Sequence, residues 1–153
     1  MAINICTYNM YGFNQGKLCL NELCSVNDVI AVQEHWLSKH DLNKIMEFHS
    51  DFQGFGWSAM DERLERGVLV GRPYGGLGLL VRKNLNIKVS HVTVESDCRC
   101  AAVKLCLTGG FQLLLIVVYF PCYEASLKYQ NASDSLRVAF RLMKQMVWLF
   151  WET

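Results

Sequence analysis

Apolar residues in this chain gather into runs of strand length, separated by short polar or glycine-bearing breaks. The first run, Ile3-Asn4-Ile5-Cys6-Thr7-Tyr8-Asn9-Met10, alternates apolar and polar positions and stops at an amide followed by Tyr11-Gly12. The second, Val29-Ile30-Ala31-Val32, is continuously apolar and ends abruptly in Gln33-Glu34-His35. Unbroken apolar runs of this length are the mark of strands buried on both faces, and such strands present chemistry from their C-terminal ends, where the sheet stops. Between the two runs, residues 11–16 read as a glycine-bounded loop. Residues 17–24, with Leu18, Leu20, Leu23 and Cys24, read as a short helix. A strand, helix, strand unit of this length predicts a parallel pair with a right-handed crossover, so both strands end on one edge of the sheet. Asn9 and Glu34 are therefore expected to lie close together.

Ser38-Lys39-His40-Asp41 has the spacing of a capping box and predicts a helix with Leu42, Ile45 and Met46 as its apolar stripe. Residues 52–57 read as a short strand. Residues 60–73, with Glu62, Arg63, Glu65, Arg66 and Arg72, read as a charged surface loop. Gly75-Gly76-Leu77-Gly78-Leu79-Leu80-Val81-Arg82 lacks the G-x-G-x-x-G spacing of a dinucleotide fingerprint and leads into a strand, so its glycines are expected to serve close packing. Three further strands are expected at 86–95, 99–107 and 111–119, with Gly109-Gly110 making a hairpin between the last two and Pro121 terminating the third. Ser133-Asp134 opens a final helix with an apolar face through Leu136, Ala139, Phe140, Met143, Val147 and Phe150. Antiparallel hairpins arriving after a parallel unit predict an α/β protein in which a mixed sheet packs on a second sheet.

A length of 153 residues with 52% hydrophobic content suits one compact domain over residues 1–153. The formal net charge is only +1, so any face for nucleic acid must come from local clustering of charge. Seven cysteines without a C-x-x-C pair argue against a zinc site and suit a reducing compartment. The N-terminus enters a strand directly, without the pattern of a secretory signal, and the apolar run 111–120 is far too short to span a bilayer. Together these lead to the expectation of an intracellular protein, neither secreted nor bound to a membrane.

A strand ending in Asn9, a second ending in Gln33-Glu34, a Gly75-Gly76-Leu77-Gly78 strand start and a later Tyr119-Phe120-Pro121 resemble, in that order, the endonuclease/exonuclease/phosphatase superfamily. Gln33-Glu34-His35-Trp36-Leu37 followed by Gly71-Arg72-Pro73-Tyr74-Gly75-Gly76-Leu77-Gly78 is most similar to the endonuclease domain of non-LTR (LINE-type) retrotransposons. The resemblance implies a two-sheet α/β sandwich of which these residues form the N-terminal part, with magnesium as cofactor and DNA as partner. It implies Asn9, Glu34 and Tyr119 as catalytic residues, Glu34 and Asn9 at the metal, and Arg99 near the scissile phosphate. Magnesium prefers one or two carboxylates supplemented by waters and substrate oxygens, and Glu34 with its neighbouring amide matches that demand. The family's Gly-Asp-x-Asn and Ser-Asp-His segments do not occur in these 153 residues, and His35, His40, His49 and His91 stand in the wrong places to substitute. Two readings stay open: a magnesium-dependent DNA endonuclease domain that is inactive as written, and a non-catalytic module that binds nucleic acid or protein.

Overall fold

The computed structural model describes residues 2–60, 64, 65, 68, 69, 71, 73–85, 87–92, 99–107, 110–119, 134 and 137. The chain opens with β1 (Ile5–Asn9), α1 (Phe13–Val26) and β2 (Val29–Gln33). A 3-10 turn at Lys39–Asp41 and the one-turn α2 (Asn43–Met46) lead to β3 (Phe52–Trp57). A two-residue ribbon, β4 (Leu64–Glu65) with β5 (Val68–Leu69), precedes β6 (Leu77–Arg82). Then come β7 (Lys88–Val92), β8 (Cys100–Cys106) and β9 (Gln112–Val118).

Besides the β4-β5 ribbon, the described strands form a first sheet of order β1-β2-β6-β3 and a second of order β7-β8-β9. The first is mixed, because β1 and β2 run parallel while β6 is antiparallel to β2 and β3. The second is antiparallel throughout. Two layers of buried side chains are found among the described residues. Val29, Ala31, Leu77, Leu79 and Val81 of the mixed sheet meet Ala101, Val103, Leu105 and Val117 of the other to form the core between the sheets. On the opposite face Ile30, Val32 and Leu80 pack with Leu20 and Cys24 of α1, Ile45 of α2 and Phe52. Both faces of β2 are thus covered, which is why its sequence is an unbroken apolar run.

The expected mixed sheet packed on a second sheet is the observed architecture, and the parallel β1-β2 pair is formed. Several local expectations need correction. The first helix begins at Phe13, four residues earlier than expected, and takes in Gly16, which is buried against Met10. Glycine costs helix stability by only about 1 kcal/mol, and here its missing side chain lets the helix sit on the end of β1. Ser38 stands at the N-cap of a 3-10 turn rather than of an α-helix and makes no side-chain capping bond: its hydroxyl donates to Asp41 Oδ2 at 2.9 Å. The stripe of the second helix is narrower than expected, because Ile45 is buried while Met46 is exposed. Within the expected loop 60–73 lie β4 and β5. The strand at 111–119 is not fully buried: β9 is the last strand of its sheet among the described residues, Leu113 on it is exposed and only Val117 is fully covered. Among the cysteines Cys24 and Cys100 are buried, but Cys19 is exposed. Burial pushes the Cys24 thiol up to about 11 despite the opposing pull of Arg82. The side chains of the charged loop, His91, Cys98, Pro121 and the apolar face of the final helix lie outside the described residues. No helix among the described residues is long and apolar enough to cross a membrane.

Candidate active site

Three backbone segments are stitched together where β1 and β2 end. Register puts Asn9 opposite Gln33. Beyond that pair Met10 N donates to Gln33 O (2.9 Å), Gly12 N to Glu34 O (2.7 Å) and Phe13 N to His35 O (2.9 Å). On the other side Glu34 N donates to Gly76 O (2.9 Å) and Trp36 N to Gly75 O (3.1 Å). Residues 33–36 are a wedge held from both flanks by backbone hydrogen bonds outside the regular ladder.

The wedge departs from ordinary strand geometry. Glu34 has φ 59, Trp36 φ 59 and Tyr11 φ 50, so three residues with side chains adopt the left-handed region that normally selects glycine. Each such residue costs on the order of 1–3 kcal/mol, and clusters of them mark functional sites. Gly76, with φ 88, supplies the room next door: a Cβ there would lie 2.4 Å from Cε1 of the His35 ring. His35 is completely buried. Its Nε2 lies 3.1 Å from both Trp57 O and Leu77 O, and its Nδ1 accepts from Leu37 N at 2.9 Å. Two carbonyls at one nitrogen and an amide donor at the other fix the neutral ring with the proton on Nε2. Burial pulls the His35 pKa below its ordinary 6.5, against the raising effect of the two carbonyls and Glu34. His35 is thus the peg on which the wedge hangs.

Glu34 is 7% exposed, and both of its side-chain donors go to Oε2. The Trp36 indole Nε1–H donates to it, as does Gly75 N at 3.2 Å. Among the described residues no Lys or Arg pairs with this carboxylate, although burying a charge without a counter-charge is expensive. Asn9 is exposed, and its Oδ1 accepts from Tyr11 N at 3.0 Å, holding the turn that follows β1. A buried carboxylate with one oxygen tied and one open, beside an exposed amide, fits a hard divalent cation that keeps much of its water.

From the second sheet, Arg99 comes near the residues that flank Glu34. Tyr119 N donates to Arg99 O at 2.9 Å, extending the β8-β9 ladder beyond Cys100 and Val118. The Tyr119 side chain is half-buried against the core between the sheets. Arg99 is 4% exposed, and its guanidinium lies 6.0 Å from the centroid of the Tyr74 ring. Tyr74 adjoins Gly75, whose amide reaches Glu34. Strand register thus sets Asn9 opposite the residue before Glu34, and Arg99 is linked to Glu34 through Tyr74 and Gly75, while Tyr119 is tied to Arg99 by its backbone. Sequence reasoning missed Trp36, Tyr74 and the structural part of His35. The one signal available was their position directly beside a strand end and a Gly-Gly pair.

The same order of segments is found in known proteins. The family model described as the Endonuclease/Exonuclease/phosphatase family matches residues 6–151. A search of curated protein sequences returns no match. Among solved structures, the chain superposes on the endonuclease domain of TRAS1, a telomere-specific non-LTR retrotransposon, with a TM-score of 0.62 at 11% identity, covering 92% of this chain and 55% of that one. The 3'-5' exonuclease NExo from Neisseria meningitidis gives 0.59 at 17% identity, covering 94% and 53%. The human Nocturnin catalytic domain gives 0.59 at 16%, covering 94% and 59%. The chain spans little more than half the length of these structures, and identities this low speak for the fold alone. With the two-sheet architecture, the paired ends of β1 and β2 and a family match running through nearly the whole sequence, the chain belongs to the Endonuclease/Exonuclease/phosphatase family.

Proposed function

We propose that these residues are the cation-binding half of a magnesium-dependent DNA endonuclease domain of the retrotransposon type. The observation that carries this reading is Glu34: a buried carboxylate at a strand end, with no protein cation among the described residues and only one of its oxygens tied. Support also comes from the fold shared with the TRAS1 endonuclease domain and from a NExo structure described as bound to a product DNA hairpin. Glu34 and Asn9 would hold the divalent ion, which when bound would neutralise charge developing on the phosphoryl group. The Tyr119 hydroxyl would orient the phosphate, and Arg99 would add positive charge from below. His35 takes no part in proton transfer, because its ring nitrogens are committed to Trp57, Leu77 and Leu37.

Residues to activate the water and protonate the leaving group are wanting, since neither Gly-Asp-x-Asn nor Ser-Asp-His occurs here. Loss of such groups typically costs several orders of magnitude in rate, although not additively. That observation also favours the second reading, a non-catalytic module that still binds nucleic acid. The test is to incubate the purified 153-residue chain with supercoiled plasmid and Mg2+, and to measure binding of a short DNA duplex with and without Mg2+. Nicking is expected at or near background, with weak Mg2+-dependent binding that Glu34→Gln removes. Robust nicking abolished by Glu34→Ala would refute inactivity. Binding indifferent to both Mg2+ and Glu34 would refute the half-site.

A further inference from the structure

We propose that Trp36 is a positioning residue for the cation half-site: its indole N–H, with the Gly75 amide, clamps Oε2 of Glu34 and leaves Oε1 as the oxygen presented to a divalent cation. The proposal rests on the nuclease reading above and adds to it the residue that aims the ligand.

The two donors converge on one oxygen, and among the described residues Oε1 accepts no hydrogen bond. The clamp is itself held rigid. Trp36 N donates to Gly75 O at 3.1 Å, so Trp36 and Gly75 are locked to each other as well as to the carboxylate. The indole ring covers Gly12, where a Cβ would lie 2.7 Å from ring atom Cε3. Its other neighbour is Tyr11, ring centroids 5.0 Å apart and tilted by 58°. Glu34 and Trp36 share the same left-handed φ of 59, the backbone geometry under which the two side chains meet.

The chemistry of the donor matters. An arginine or lysine at this place would neutralise the carboxylate and compete with the metal. An indole N–H and a backbone amide are neutral donors that orient a carboxylate while leaving its charge for a cation. Outer partners of this kind, when removed, typically weaken metal affinity about 10- to 100-fold.

The test uses Mn2+ as the probe, read by its enhancement of water-proton relaxation, on the 153-residue chain and its variants Trp36→Phe and Glu34→Ala. Phenylalanine keeps an aromatic ring at this position and removes the donor together with part of the ring surface, and circular dichroism checks that the variant folds. Glu34→Ala is expected to abolish the tight site, and Trp36→Phe to weaken it about 10-fold. A second readout needs neither metal nor a Trp36 variant. The Trp36 indole N–H proton is expected downfield of ordinary indoles in the NMR spectrum of the metal-free chain, and to move upfield in Glu34→Ala. Unchanged Mn2+ affinity in folded Trp36→Phe, with binding still dependent on Glu34, would overturn the positioning role and leave the nuclease reading standing. An indole resonance indifferent to Glu34→Ala would overturn the clamp. A resonance coupled to Glu34 in a chain showing no Glu34-dependent Mn2+ binding would overturn the clamp's role and the cation reading together.

Discussion

The two ends of β2 each carry a carboxylate, and the protein treats them in opposite ways. At the start, Asp28 meets Arg82, whose Nε lies 3.2 Å from Oδ1, and its Oδ2 accepts from Asn4 N at 2.9 Å. The Arg82 guanidinium also donates to the carbonyls of Cys24 and Asn27 and lies 4.6 Å over the Phe52 ring. Charge is matched, donors are used, and the backbone at Asp28 needs no left-handed residue. At the far end Glu34 is more deeply buried, sits on left-handed backbone and, among the described residues, receives only neutral donors. Asp28 is a structural ion pair, whereas Glu34 has no ion-pair partner among the described residues and is, on the function proposed above, the ligand held for a cation. A carboxylate at a strand end thus becomes informative through its partners rather than through its position alone.

The sharpest way to break the strained end is Gly76→Ala. A Cβ 2.4 Å from the buried His35 ring, on backbone at φ 88, is expected to cost about 3 kcal/mol or more in urea unfolding. A loss below about 1 kcal/mol would mean that the wedge relaxes around it. At the conventional end Arg82→Met is expected to cost about 2 kcal/mol, because it leaves Asp28 and two carbonyls without their partner. That variant should leave Mn2+ binding untouched. A smaller effect separates the ends by pH. Burial lowers the folded-state pKa of His35 below 6.5, so the unfolded chain binds the proton more readily. Its contribution to stability is complete above about pH 6.5 and is lost as the pH falls from there through the lower folded-state value. Replacing His35 with Gln is expected to flatten that part of the stability profile. An unchanged slope would show that the imidazole is not held neutral.

Strands were the legible part of the fold. The runs at β1, β2, β3 and β6 are bounded by turn residues, and β2 announced its double burial through Val29-Ile30-Ala31-Val32. The start of α1 was illegible because Gly12 and Gly16 look like loop residues, and only the packing of Gly16 on Met10 reveals why one of them is helical. β9 reads as a core strand because its composition is apolar, yet composition does not say how completely each position is covered, and only Val117 is fully buried. At the candidate site, the order of Asn9, Glu34 and Tyr119 along the chain was readable from strand ends. The clamp was not. Left-handed backbone at Glu34 and Trp36 contradicts their intrinsic preferences and is imposed by hydrogen bonds to residues about forty positions away, at Gly75 and Gly76.

The contrast between the two carboxylates is tested most directly by Mn2+ binding to the 153-residue chain in two isosteric variants, Glu34→Gln and Asp28→Asn, at a temperature where both remain folded. Loss of the relaxation enhancement in Glu34→Gln, with binding in Asp28→Asn equal to that of the unaltered chain, is the expected result. Binding that survives Glu34→Gln, or that disappears in folded Asp28→Asn, would contradict the assignment of Glu34 as the cation ligand.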